Sequence, residues 1–165
     1  MNATTQPSEY ELNNNQLRVR TIKAIYESHQ VKEEEKTWLT DPIVEGGQVY
    51  EMFKHLENET KEYFIALHLD AKNKVLCKDV VSIGSMTASI VNPREVLKTA
   101  LLSSAAGMIF IHNHPSGDPI PSNEDRAITE KLKIAAELFN IRVLDHIIIG
   151  QDTFFSFKDR TDILY

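Results

Sequence analysis

The sequence predicts one layered α/β or α+β domain, in which a mixed β-sheet is flanked by helices. The 165 residues are enough for one sizeable hydrophobic core and too few for two. Apolar residues make up 42% of the chain and charged residues 25%, proportions that are typical of a folded protein. Helix-like and strand-like segments then follow one another in an order that suits helices packed on a sheet.

The chain divides into two predicted units, residues 1–42 and residues 43–165. Residues 1–16 are polar and rich in Asn, Thr and Gln, which indicates a disordered leader. Apolar residues recur at helical spacing over Leu17–Gln30 and predict an amphipathic helix. Turn-forming residues at 41–47 indicate a connection. We therefore expect the main domain to begin close to residue 43.

A short helix and a β-hairpin are predicted at the start of the main domain. The helix is expected over Gln48–Leu56. Tyr63–Asp70 combines apolar residues with high strand propensity and predicts the first strand. Ala71–Lys74 has the composition of a turn, and Val75–Ile83 is the predicted returning strand.

Helices and strands alternate through the rest of the domain. Asn92, Pro93 and Glu95 have the form of a helix start, and that helix is expected to end near Ser104. The apolar run Met108–His112 predicts a central strand buried on both faces. The remaining predicted elements are a helix over Asn123–Phe139, a strand over Ile141–Ile149 and a strand-like segment over Thr153–Phe157.

Charge and cysteine content argue against several classes of protein. The chain has 18 basic and 24 acidic residues, and its net charge of −6 disfavours a nucleic-acid partner. Cys77 is the single cysteine, which excludes an intramolecular disulfide and a thiolate-rich zinc site. No apolar stretch approaches membrane-spanning length and no signal sequence is evident. We expect a cytoplasmic protein that does not enter the membrane.

The most informative segment runs from His112 to Asp125. Residues two apart in a strand point to the same face, so His112 and His114 can present two imidazoles to one ion. Three prolines and Gly117 restrict the following loop and bring the first turn of the next helix, with Asp125, back beside the strand end. Three such ligands leave one tetrahedral position for water, which is typical of a catalytic zinc site. The sequence therefore predicts one zinc ion per chain.

Each half of this pattern also has a purely structural explanation. A single histidine at the end of a core strand is usually packed and hydrogen-bonded, and Ser122 with Asp125 could simply form a capping box. The full spacing H-x-H-x7-S-x2-D, however, would arise by chance in roughly one such sequence in a thousand. The combined pattern favours the metal site.

These residues resemble a known motif. His112, His114, Ser122 and Asp125 match the JAMM (MPN+) motif of zinc metallohydrolases, in which an upstream Glu completes the site. The resemblance implies a cytidine-deaminase-like JAB/MPN fold and hydrolysis of an acyl bond by a zinc-activated water, most plausibly in a peptide or isopeptide. It also implies that Ser122 hydrogen-bonds the developing oxyanion or the water, in competition with its role as a helix cap.

The upstream Glu is assigned by position. In JAMM domains it lies at the start of a strand, so the match falls on Glu62, which would take a proton from the water and pass it to the leaving group. The alternative is a solvated charge at a strand end. Within the predicted main domain, four other glutamates precede the same strand: Glu45, Glu51, Glu57 and Glu59.

Further residues are similar to the RadC branch in particular. They are Asn113, the continuation Pro115–Asp118 and the later run Asp145–Gly150, and the resemblance covers about residues 43–158. RadC proteins commonly carry a helix-hairpin-helix segment before the JAMM domain. No such segment is evident in residues 1–42, which weakens an inherited link to DNA.

Four residues near the motif have two interpretations each. His146 and His68 lie on predicted core strands, where they would either support the zinc ligands or serve as ordinary structural histidines. Asp118 suits a turn better than a ligand position. Cys77 suits a small buried apolar role better than a nucleophile.

Two other functions remain open alternatives. The first is a metal-dependent nuclease or DNA-repair-associated protein, suggested by the letters His-Asn-His and by the family name. The second is a non-catalytic MPN interaction module. We expect a peptide or protein substrate, and the oligomeric state is open, with a homodimer as one option.

Overall fold

A five-stranded β-sheet lies at the centre of the protein. The computed structural model describes residues 25–28, 40–84 and 91–164. The strands are β1 (Glu62–Leu69), β2 (Val75–Gly84), β3 (Gly107–Asn113), β4 (Arg142–Gly150) and β5 (Thr153–Ser156). The helices described in full are α1 (Gly46–Phe53), α2 (Pro93–Leu102), α3 (Asn123–Glu137) and α4 (Phe157–Arg160), and a 3₁₀ helix, Lys54–Asn58, continues α1.

The sheet is mixed, with strand order β2-β1-β3-β4-β5. Strand β1 pairs antiparallel with both β2 and β3, while β3 and β4 are parallel. Parallel neighbours need a long crossover, which α3 supplies between β3 and β4. The predicted mixed sheet flanked by helices is confirmed.

Two hydrophobic clusters cover opposite faces of the sheet. On one face, Phe64 and Phe110 pack with residues of α2 and α3, including Leu132. On the other face, Ile111 packs with residues of α1, including Val49. All seven residues of β3 are buried. The prediction of a central strand buried on both faces is therefore confirmed.

Most predicted elements lie within one or two residues of their observed bounds, and the first helix differs most. It begins at Gly46 rather than Gln48, because the Gln48 side chain accepts the backbone N–H groups of Val44 and Glu45 and so fixes the start. Gly46 belongs to this first turn rather than to a connection. A Cβ at Gly46 would lie 3.0 Å from Ile147 Cδ1, so the glycine allows α1 to approach β4 closely. The predicted continuation to residue 56 is 3₁₀ rather than α-helix.

Asp145, which interrupts the apolar run of β4, holds the C-terminal segment against the sheet. Its carboxylate accepts hydrogen bonds from the Ser156 hydroxyl at 2.7 Å and from the Lys158 N–H at 3.0 Å. The predicted final strand accordingly ends at Ser156, and the fully buried Phe157 begins α4 instead. Burial raises the pKa of Asp145 above its ordinary value, against these hydrogen bonds.

The predicted N-terminal helix lies outside the described residues except for residues 25–28. Those four residues are exposed and have no regular secondary structure. Among the described residues, none of the helices is both long and apolar enough to cross a membrane.

The loop between β3 and α3 is pinned to the end of β4. His114 N–H donates to the Ile149 carbonyl at 2.9 Å, and Gln151 N–H donates to the Gly117 carbonyl at 2.8 Å. The contact leaves no room for a side chain at Gly150, where a Cβ would lie 2.5 Å from Gly117 O and 2.7 Å from Pro119 Cδ. The glycine therefore sets the position of the loop relative to the sheet.

Substituting Gly150→Ala should lower the free energy of unfolding by about 1–3 kcal/mol, because the clash is with backbone and proline ring atoms that cannot rotate away. Denaturant unfolding measures this change. Gly47→Ala is a matched control, since its new methyl would have its nearest neighbour at 3.9 Å. The control should leave stability unchanged or raise it by up to about 1 kcal/mol. Equal effects in the two variants would contradict the close packing at Gly150.

Candidate metal centre

The end of β3 and the start of α3 bring three predicted ligands together. Strand alternation places His112 and His114 on the sheet face that α2 and α3 cover. Asp125 is the third residue of α3, whose N-cap is Ser122. His112 is fully buried and Asp125 is 4% exposed, while His114 lies at the rim with a side chain 16% exposed. One side of the group therefore opens toward solvent.

The three side chains approach one another through their acceptor atoms. His112 Nε2 lies 3.0 Å from His114 Nε2 and 3.3 Å from Asp125 Oδ1. His114 Nε2 lies 3.4 Å from Asp125 Oδ2. Among the described residues, these three form the group of His, Cys, Asp or Glu side chains that could hold a metal ion.

The hydrogen bonds around this cluster show that it needs a proton or a metal ion at its centre. His114 Nδ1 is 2.6 Å from the Asp118 carbonyl oxygen, which can only accept, so Nδ1 carries the hydrogen. In the neutral ring, His114 Nε2 then presents a lone pair to a carboxylate and to a second imidazole nitrogen. Such electron-rich atoms repel one another unless a proton or a metal ion lies between them. The residues present therefore fit a bound metal ion.

The charges at the cluster favour an ionised carboxylate. Burial alone would raise the pKa of Asp125, but the adjacent imidazoles of His112 and His114 and the hydrogen bond from the Ser122 hydroxyl hold that pKa well below its ordinary range. Burial likewise lowers the pKa of His114, yet Asp125 and the Asp118 carbonyl outweigh burial and raise it above its ordinary value. The Asp125 carboxylate is thus anionic across the physiological pH range.

The two deeper histidines behave differently. Burial lowers the pKa of His112, against the attraction of Asp125. His146 Nε2 lies 2.8 Å from His112 Nδ1, and burial together with the neighbouring His112 lowers the pKa of His146 well below its ordinary value. Burial thus favours the neutral form of both rings, and the neutral form is the one in which an imidazole such as His112 can bind a metal.

Ser122 is engaged with the third ligand. Its hydroxyl donates to Asp125 Oδ2 at 2.6 Å and accepts the Asp125 N–H at 3.1 Å. Its own N–H donates to the same carboxylate oxygen at 2.8 Å. The capping-box geometry is therefore present and leaves Oδ1 facing His112. A hydrogen bond from this hydroxyl to an oxyanion would require it to rotate away from Asp125.

Glu62 lies on the same side of the sheet as the cluster. It is the first residue of β1 and half-buried. Phe64, two residues later, is the register partner of His112, so alternation places Glu62 on the face of His112 and His114. Burial is the largest influence on the pKa of both imidazoles and lowers it, and the negative charge of Glu62 is a smaller influence that acts to raise it, which indicates that Glu62 lies near the cluster.

The competing glutamates have other contacts or positions. Glu51 pairs with Lys54 at 2.7 Å on the exposed side of α1, and Glu57 accepts the Asp152 N–H at 3.2 Å. Glu45 is the N-cap of α1, on the opposite face of the sheet from the cluster. The placement of Glu62 therefore supports its assignment over these three, and Glu59, half-buried at the C-cap of the 3₁₀ helix, is the next candidate.

Asn113, which separates His112 and His114, has a structural role that sequence reasoning did not assign. Its side-chain oxygen accepts the Tyr63 N–H at 2.8 Å, and its side-chain amide donates to the Lys61 carbonyl at 3.0 Å. These two bonds hold the peptide units on either side of Glu62. This role depends on a contact between residues far apart in the sequence, and nothing in the local sequence links residue 113 to residue 62.

The structure also shows the contacts of Asp118 and His68, the two remaining polar residues that the sequence analysis discussed. Asp118 has the predicted turn geometry, because its carboxylate accepts the Ile120 N–H at 3.0 Å, while its carbonyl also orients His114. His68 lies toward the other end of β1, where Nδ1 is 2.9 Å from Ser103 Oγ and 3.3 Å from Cys77 Sγ. Burial lowers the pKa of His68 and raises that of Cys77, so these two groups are uncharged.

An H-x-H pair at the end of a buried strand and an Asp in the first turn of the next helix define a candidate metal-dependent hydrolase. A family model described as "RadC-like JAB domain" matches residues 43–162. The chain belongs to the RadC-like JAB domain family.

Curated relatives support the same membership. The chain is 56% identical over 108 residues to a UPF0758 protein of Methanosarcina acetivorans, covering 66% of this chain and 47% of the relative. It is 53% identical over 115 residues to a UPF0758 protein of Geotalea uraniireducens, covering 69% and 50%. A UPF0758 protein of Pelobacter propionicus is 52% identical over 121 residues, covering 73% and 53%. The chain therefore spans about half the length of the curated relatives it matches.

Substituting Asn113→Asp should lower the free energy of unfolding by about 1–3 kcal/mol at pH 7, because an ionised carboxylate cannot donate to the Lys61 carbonyl. A protonated carboxyl group can, so burial should raise the pKa of the introduced group. The destabilisation relative to wild type should then be smaller near pH 4 and grow as pH rises. Denaturant unfolding across this pH range measures it.

The matched control is Asn140→Asp, at an exposed position with φ of 56° that Asp also tolerates. This control should change stability by less than about 0.5 kcal/mol at either pH. A pH-independent cost in Asn113→Asp, or none at all, would contradict the described hydrogen bonds.

Proposed function

We propose that this protein is a zinc-dependent hydrolase of amide or isopeptide bonds, with zinc held by His112, His114 and Asp125. The observation that carries the proposal is the convergence of two imidazole nitrogens and a carboxylate at 3.0–3.4 Å from one another. Membership of the RadC-like JAB domain family supports a metal-dependent hydrolase of JAMM type.

The spacing of the three side chains suits zinc in particular. Zinc binds imidazole nitrogen and carboxylate oxygen at about 2.0–2.2 Å, usually with tetrahedral geometry. The edge of such a tetrahedron is about 1.63 times the bond length, or about 3.3–3.6 Å. The observed separations of 3.0, 3.3 and 3.4 Å lie close to that edge. Three protein ligands would leave the fourth position open toward solvent beside His114.

Glu62 and Ser122 would carry out proton transfer and oxyanion stabilisation beside the zinc ion. Zinc, when bound, supplies a Lewis acid that lowers the pKa of a coordinated water toward neutrality. Glu62 would accept the proton of the attacking water and deliver it to the departing nitrogen. Ser122 fixes Asp125 through two hydrogen bonds to Oδ2, and rotation of its hydroxyl would let it donate to the developing oxyanion.

The substrate class and biological setting are also proposals. The acyl-bond chemistry favours a peptide or protein substrate over a nucleic acid, in line with the net charge of −6. We further propose a cytidine-deaminase-like JAB fold, a cytoplasmic location and a division of the chain at residues 42 and 43.

The protein as purified should contain about one zinc per chain, and His114→Ala should release most of it, because one of three ligands is lost. Elemental analysis on the same preparations measures this. His68→Ala is a suitable control, since His68 lies with Ser103 and Cys77 away from the cluster. Full zinc retention in both His112→Ala and His114→Ala would exclude the proposed ligand set.

Glu62→Gln should retain zinc but lose about 10²- to 10⁴-fold in hydrolytic rate. The amide is nearly isosteric and can hydrogen-bond the water, yet it cannot take the proton. Activity is measured on a substrate found by screening peptide and isopeptide libraries with and without chelator. A wild-type rate in a zinc-loaded Glu62→Gln protein would rule out this general base.

Two companion variants separate the roles of base and ligand. Asp125→Asn removes the anionic ligand, so zinc occupancy should fall together with activity. Glu59→Gln is the matched control and should retain both. If Glu59→Gln lost the rate and Glu62→Gln kept it, the general base would be Glu59.

A further inference from the structure

A chain of buried hydrogen bonds leads from α3 to the zinc ligand His112 through β4. His112 Nδ1 lies 2.8 Å from His146 Nε2, and His146 Nδ1 lies 2.6 Å from the Thr129 hydroxyl. The same hydroxyl lies 2.6 Å from the backbone carbonyl of Asp125. His112, His146 and Thr129 are all fully buried, so water does not compete for these bonds.

The backbone carbonyl of Asp125, at one end of this series of hydrogen bonds, determines which atom donates in each bond. Two oxygens 2.6 Å apart share a hydrogen, and since a carbonyl has none, the Thr129 hydroxyl donates to Asp125 O. Its only hydrogen is then used, so the short contact to His146 requires that His146 Nδ1–H donates to Thr129. Thr129 thus selects one tautomer of His146.

The tautomer of His146 in turn determines the tautomer of His112, the proposed metal ligand. A neutral His146 with its hydrogen on Nδ1 has a lone pair on Nε2, which accepts a hydrogen from His112 Nδ1. The hydrogen of His112 is then on the side away from the cluster. Its Nε2 lone pair faces His114 and Asp125, as a ligand atom must. In the opposite tautomers, a hydrogen on His112 Nε2 would occupy the metal position.

We infer that Thr129 and His146 are positioning residues that hold His112 in the tautomer that can bind metal. The inference rests on the proposed function for its consequence, zinc affinity, but the tautomers themselves can be measured without zinc. Asp125 contributes twice. Its carboxylate is a proposed metal ligand, and its backbone carbonyl fixes the donor and acceptor of each hydrogen bond from Thr129 to His112. Helix α3 therefore both supplies one ligand and prepares another.

The first measurement is long-range ¹H–¹⁵N NMR of the histidine rings in the wild-type protein, before and after treatment with a chelator. Before and after chelation, His146 should carry its hydrogen on Nδ1. After chelation, His112 should likewise carry its hydrogen on Nδ1 and leave Nε2 bare. A hydrogen on His146 Nε2 would overturn the inference, whether or not the protein binds zinc.

The second measurement is zinc affinity by competition with a chromophoric chelator. Thr129→Val keeps the shape of the side chain but removes the hydroxyl, so affinity should fall about 10- to 100-fold. Thr129→Ser keeps the hydroxyl, so its zinc affinity should stay within about threefold of the wild-type affinity. Ile128→Val, a buried neighbour on α3, tests for a merely structural effect, since it should lower stability and leave affinity unchanged.

The outcomes separate the two proposals. Wild-type affinity in a folded Thr129→Val protein, or equal losses in Thr129→Val and Ile128→Val, would overturn the positioning role. Absence of zinc binding by the wild type would instead overturn the proposed function, while the NMR result on the same protein would still decide the tautomers. If Thr129→Val does not fold, the wild-type NMR measurement decides the inference.

Discussion

Three electron-rich atoms from two neighbouring elements converge at one point, and the surrounding structure is organised to hold them there. Two are the Nε2 atoms of His112 and His114 at the end of a buried strand, and the third is a carboxylate oxygen of Asp125 in the following helix. Without a cation their lone pairs repel one another. This repulsion lowers the stability of the folded protein, and a bound metal ion would offset it. The short, proline-rich loop between the two elements makes the convergence possible.

Neighbouring strands restrict this convergence from several directions. Gly150 at the end of β4 lets the loop pack directly on the sheet, and Asn113 ties the start of β1 to the end of β3 beside Glu62. His146 on β4 and Thr129 on α3 contact the side of His112 that faces away from the cluster. The parallel pairing of β3 and β4 is therefore important for the site as well as for the core, because it brings His146 beside His112.

The sequence was sufficient to predict features that depend on local periodicity. Alternation along one strand places His112 and His114 together, and a capping pattern places Asp125 in the first turn of a helix, so the cluster was predictable from spacing. Contacts between distant segments were not. The bonds of Asn113 around Glu62 and the link from Thr129 to His146 depend on which strands become neighbours, and the start of α1 at Gly46 depends on how closely it approaches β4.

The central claim is that zinc is bound by two imidazoles, a carboxylate and a water. Zinc K-edge X-ray absorption on the purified protein tests this coordination most directly. A zinc ion held in this way should show about four nitrogen or oxygen neighbours at about 2.0–2.2 Å, with the outer-shell scattering of two imidazole rings. A sulfur neighbour at about 2.3 Å, or a zinc ion without imidazole scattering, would contradict it.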